Sequence, residues 1–88
     1  METLKIVRKE IELDIYGEKH RLKYPSAKRM IQFSMDADKI VNGSSEKNEY
    51  ELASDLLQDC GLKNSVIESL YYEDLITIIN ALKGVKKN

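Results

Sequence analysis

His20 and Cys60 are the only histidine and the only cysteine in this 88-residue chain, and they are the two side chains best suited to acid–base or nucleophilic work. A histidine becomes a general base, and a cysteine a nucleophile, when a partner within hydrogen-bond reach tunes it. The sequence places no Ser, Cys or carboxylate to complete a triad with His20. His20 lies in an alternating, strand-like run and reads as a structural histidine on the inner or edge face of a hairpin. Cys60 closes an apolar helical stripe just before Gly61 and reads as a buried thiol. No second Cys or His stands at zinc-ligand spacing, and no glycine-rich phosphate loop occurs. Asp36 and Asp38 form the kind of carboxylate pair that solvated helices carry. The chain is therefore read as not an enzyme, with no catalytic residue, no cofactor and no metal ligand.

Two motifs come close enough to need excluding. From Asp38, a calcium-loop register would use Asp38, Ile40, Asn42, Gly43, Ser44, Glu46 and Glu49. Ile40 offers no oxygen where the third ligand is needed, and Ser45 stands where such loops carry an apolar anchor. Leu56, Cys60, Gly61, Leu62, Ile67 and Leu70 fall near helix-turn-helix positions. Leu57, however, occupies a place that needs a small residue. The would-be recognition segment, 65–74, holds three acids and no Lys or Arg, so phosphate would repel it. An ordinary corner between two helices is the expectation.

The elements that would position these residues begin with a β-hairpin over residues 1–24. Ile11, Leu13 and Ile15 alternate with acids, and His20, Leu22 and Tyr24 alternate with bases. Gly17-Glu18 suits a type II′ turn. That turn pairs Ile15 with His20, Leu13 with Leu22 and Ile11 with Tyr24, and sets Asp14 against Arg21 and Glu12 against Lys23. Leu4, Ile6 and Val7 extend the first strand, with a bulge or bend near Arg8-Lys9, where the alternation changes phase. Pro25 stops the second strand.

A helix over 26–42 follows, capped by Ser26 and ended by Asn42-Gly43. Its apolar positions are Ala27, Met30, Phe33, Ala37, Ile40 and Val41, with Ile31 beside them. Residues 43–48 form the loop. A helical cluster spans 49–84. Its first helix is capped by Asn48 with Glu51, carries Tyr50, Ala53, Leu56, Leu57 and Cys60, and stops at Gly61. A short helix over 64–70 carries Val66, Ile67 and Leu70. A last helix starts at Glu73-Asp74, carries Leu75, Ile76, Ile79 and Leu82, and stops at Gly84. Ile78 widens its apolar face, so that helix is read as covered on two sides. Residues 85–88 form a tail. The fold class is α+β in a single domain over 1–88: an N-terminal β-hairpin, a long helix and three further helices.

Composition agrees with a globular domain, at 42% hydrophobic and 33% charged residues. A core this small is marginal, so weak homo-oligomers are expected. Net charge is −1, but Glu49, Glu51, Asp55, Asp59, Glu68, Glu73 and Asp74 face a single base, Lys63, over residues 49–74. That acidic half disfavours nucleic acid. No apolar run is long enough for a membrane span and no signal peptide opens the chain, so no membrane partner and a cytoplasmic location are expected.

Three phrases, in this order, carry a family resemblance: IYGEKHRLKYPSAKRM, LLQDCGLKNSVIESL and YYEDLITIINALKG. Across roughly residues 10–84 the chain resembles the phage tail assembly chaperones of tailed phages and prophages. Lys63 departs from the pattern, because similar sequences often place proline there to start the short helix. The resemblance implies a cofactor-free binding function in the bacterial host cytoplasm. Such a chaperone holds the helical tape measure protein soluble and helps recruit tail tube protein. It also implies two product lengths made by ribosomal frameshifting, for which Lys86-Lys87-Asn88 can be encoded by a slippery heptamer. Tyr71, Tyr72 and Ile78 are the expected partner-binding residues, since two adjacent tyrosines cannot both enter one core. The alternative reading is a small adaptor or regulatory protein of unrelated family, with a DNA-binding regulator behind it.

Overall fold

The computed structural model describes residues 2–84, and the tail at 85–88 lies outside the described residues. The order is β1 (Glu10–Ile15), β2 (Glu18–Lys23), α1 (Ala27–Val41), α2 (Glu49–Asp59), α3 (Asn64–Ser69) and α4 (Tyr72–Lys83). This is the α+β architecture that the patterns predict, one antiparallel hairpin followed by four helices.

The hairpin register differs from the expected one by two residues. Ile15 pairs with Glu18, Leu13 with His20 and Ile11 with Leu22, while Asp14 faces Lys19, Glu12 faces Arg21 and Glu10 faces Lys23. The turn is Tyr16-Gly17, with φ of 52° and 90°, not Gly17-Glu18. Two central residues with positive φ make a type I′ turn, whose twist suits a hairpin as well as type II′ does. A shift of two preserves the faces, because the side-chain period is two. It also opposes three acids to three bases instead of two to two. The Asp14 carboxylate accepts from the Gly17 N–H at 3.0 Å and closes the turn.

Local capping sets the helix boundaries. The Ser26 hydroxyl accepts from the Arg29 N–H at 3.1 Å, and Asn48 accepts from the Glu51 N–H at 2.8 Å. α1 and α2 end alike. Ser44 N–H reaches Lys39 O and Gly43 N–H reaches Ile40 O, while Leu62 N–H reaches Leu57 O and Gly61 N–H reaches Gln58 O. This paired closure needs a residue in left-handed conformation, and Gly43 (φ 75°) and Gly61 (φ 106°) supply it. α3 starts at the expected place without proline, because Lys63 itself holds φ −69° and ψ 141°.

The core joins the hairpin's inner face to all four helices. Ile15, Leu22, Phe33, Leu52, Leu56, Leu57, Ile67, Leu75, Ile79 and Leu82 are among its buried members, and Leu22, Leu56, Leu57 and Ile67 are fully enclosed. Leu52 takes the buried place expected of Tyr50, which is exposed. Ile31 and Val41 also lie outside the core. Residues 2–9 form no strand beyond one ladder bond, Tyr24 N–H to Lys9 O at 3.1 Å. Leu4 and Ile6 are each 85% exposed, which overturns the expected extension of the first strand.

Candidate functional site

His20 lies in β2 and Cys60 at the C-terminal end of α2. His20 faces Leu13 on the half-buried inner side of the hairpin. Its Nε2 is shielded from solvent and unpartnered, and the nearest carboxylate oxygen, Glu18 Oε2, is 3.7 Å away, beyond hydrogen-bond length. Ser65 and Ser69 line the same shallow cleft. The Cys60 thiol is buried, and burial raises its pKa, against the opposing pull of the nearby Arg29 guanidinium. The Cys60 carbonyl accepts from Lys23 N–H at 2.9 Å, so the residue ties β2 to the end of α2.

The loop weighed for calcium is engaged in ending and starting helices. The Ser44 hydroxyl donates to Lys39 O at 3.3 Å, the Asn48 side chain caps α2, and Lys47 Nζ lies 2.6 Å from an Asp55 oxygen. Among the described residues no group of three His, Cys, Asp or Glu is placed to hold a metal ion. The α2–α3 corner presents Asn64, Ser65, Glu68 and Ser69 outward from α3, with no cation on that helix. Among the described residues no helix is long and apolar enough to cross a membrane.

The surface with most recognition chemistry lies where the hairpin tip meets the start of α4. Tyr71 and Tyr72 are both exposed there, and Ile76 follows one turn after Tyr72, partly exposed. Ile78 is 7% exposed and belongs to the core, so the expectation that it meets a partner is corrected. It projects to the same side as Leu75 and Leu82, and that side packs inward; Ile76 is the apolar residue left outside.

Tyr16, not singled out by its sequence position, organises this surface. Its hydroxyl donates to Asp74 Oδ2 at 2.5 Å and accepts from the Tyr71 N–H at 3.0 Å. Tyr71 precedes α4 without a side-chain cap of its own, and Asp74 lies in the first turn. A capping box normally joins those two positions directly. Here a phenol from the hairpin stands between them. The rings of Tyr16 and Tyr71 meet edge to face with centroids 5.8 Å apart. Tyr16 holds φ 52°, the one positive φ among the described non-glycine residues. Such a conformation is costly for a bulky residue, and the contacts to Tyr71 and Asp74 offset it. A large aromatic just before a turn glycine is the only sequence signal for this role. The hydrogen bond to the Asp74 carboxylate raises the Tyr16 pKa. Tyr72 donates to Glu49 Oε2 at 3.2 Å, and its pKa is raised for the same reason.

The geometry offers exposed aromatic and apolar side chains with fixed orientations, bordered by Glu49, Glu73 and Asp74. The chain matches no protein-family model, and no curated protein or solved structure is significantly similar to it.

Proposed function

We propose that this chain is a protein-binding chaperone of phage tail assembly, which holds a helical tape measure protein soluble and helps recruit tail tube protein. The observation that carries the reading is the exposed tyrosine pair, Tyr71 and Tyr72, held in place on an acidic half of the chain. Tyrosine is favoured at interfaces because its ring buries apolar area while its hydroxyl stays satisfied. The carboxylates beside it favour a basic, amphipathic helix over an acidic one. The order of hairpin, long helix and three shorter helices accords with the resemblance to that family.

Co-expression with a cognate tape measure protein tests the reading. The expected result is a rise in soluble tape measure protein and a complex on a sizing column. The Tyr71→Ala/Tyr72→Ala variant should lose most of that rescue while keeping its helical circular dichroism. No rescue and no complex with the unaltered chain would defeat the proposal.

A further inference from the structure

We infer that two copies of this chain join along β1, each copy's residues 3–8 adding as a strand to the free edge of β1 in the other. The inference stands independently of the chaperone reading. Its first ground is exposure: Leu4 and Ile6 are 85% exposed and Val7 62%. Three neighbouring apolar side chains left in water mark a surface that another chain covers.

The free edge is the second ground. The bond from Tyr24 N–H to Lys9 O sets the phase of the ladder, so the backbone groups of Glu10, Glu12 and Asp14 point away from β2. Among the described residues no backbone hydrogen bond engages them. On the opposite edge of the hairpin, Lys23 N–H is already bonded to Cys60 O. Unpaired N–H and C=O groups in a row are a template for strand addition.

The third ground is that the segment's direction carries it away from the free edge of its own β1. Lys9 is held in line with β1 by its ladder bond, so residues 2–9 run directly into the strand with no turn between. The edge such a segment can reach is that of another molecule.

Complementarity favours a second copy as that molecule. Align the two strands antiparallel so that Leu4 lies beside Leu13 of the other copy and Ile6 beside its Ile11. Lys5 then falls beside Glu12 and Val7 beside Glu10, while Arg8 and Lys9 of the two copies meet at the two-fold axis, where the strand must bulge to part them. Cross-strand neighbours share a face, so Leu4 and Ile6 join the half-buried apolar side and Lys5 meets an acid on the other. The alternation of the chain changes phase at Arg8-Lys9, and a bulge there is what this pairing requires. Pairing β1 directly on β1 would instead set Glu10, Glu12 and Asp14 against one another. The contact is isologous and closes as a dimer.

Sedimentation of the full chain from micromolar to millimolar concentration tests this. The expected result is a monomer–dimer equilibrium that Leu4→Lys/Ile6→Lys weakens at least about tenfold, with unchanged circular dichroism. Amide exchange should show concentration-dependent protection at Glu10, Glu12 and Asp14. A chain that stays monomeric, a dimer untouched by the double substitution, or protection confined to α4 would overturn the inference.

Discussion

Leu22 on β2 and Leu4 in the segment leading into β1 are the same side chain, yet Leu22 is fully buried and Leu4 is 85% exposed. Residue type does not separate them. β2 is hydrogen-bonded to β1 on one edge, tied to Cys60 at its end, and covered on its inner face by the helical core. Residues 2–9 have one ladder bond, and Leu4, Ile6 and Val7 stay exposed. Burial requires a second layer as well as an apolar side chain. The stability of this domain therefore resides in the hairpin's inner face and the helices, while the leader leaves its apolar side chains in water.

Breaking the enclosed half gives the largest expected effect. Leu57 is fully buried at the centre of the core, and Leu57→Ala should cost about 3 kcal/mol, from lost burial and the cavity left behind. That is a large share of what a small domain holds. Leu4→Ala should change monomer stability by less than about 0.5 kcal/mol. Urea denaturation of both variants at low concentration checks the contrast, and equal losses would erase it.

Gly61 sharpens the comparison from the backbone side. An added Cβ there would meet nothing within 4 Å, but φ is 106°. Gly61→Ala should therefore destabilise by about 1–2 kcal/mol through conformation alone, which is roughly 4–16 °C in thermal midpoint for a domain of this size. A smaller effect comes from the cap of α2, since Asn48→Ala removes the bond to Glu51 N–H and should cost about 1 kcal/mol.

The smallest effect belongs to the hairpin tip. The Tyr16 pKa is raised because its phenol donates to Asp74. The folded state thus binds that proton more tightly than the unfolded chain does. The corresponding stabilisation is fully present below the unfolded phenol pKa, near 10, and is lost as pH rises through the higher folded value. In an ultraviolet titration Tyr16→Phe should remove one late-ionising tyrosine and leave the neutral-pH fold unchanged. If the tyrosine lost from the titration is one that ionises at the ordinary value and not late, the Tyr16–Asp74 contact does not form.

Local chemistry alone determined most of the fold. Ser26, Asn48, Gly43, Gly61 and Gly84 set helix ends through bonds within a turn or so of themselves, so their effect is readable without knowing the rest of the chain. The alternation of residues 11–15 and 20–24 likewise determined which face of the hairpin is apolar. Tertiary structure decided the remainder. The two hairpin registers carry the same faces and differ by two residues, so patterning cannot separate them; the anchoring of Tyr16 at the start of α4 accompanies the one that forms. Leu52 instead of Tyr50, and Ile78 instead of Ile76, became core because neighbouring helices cover one side of each stripe and not the other. The exposure of Leu4, Ile6 and Val7 was equally beyond the sequence, since strand propensity says what a segment can pair with, and only the assembled fold says whether a partner edge lies within reach.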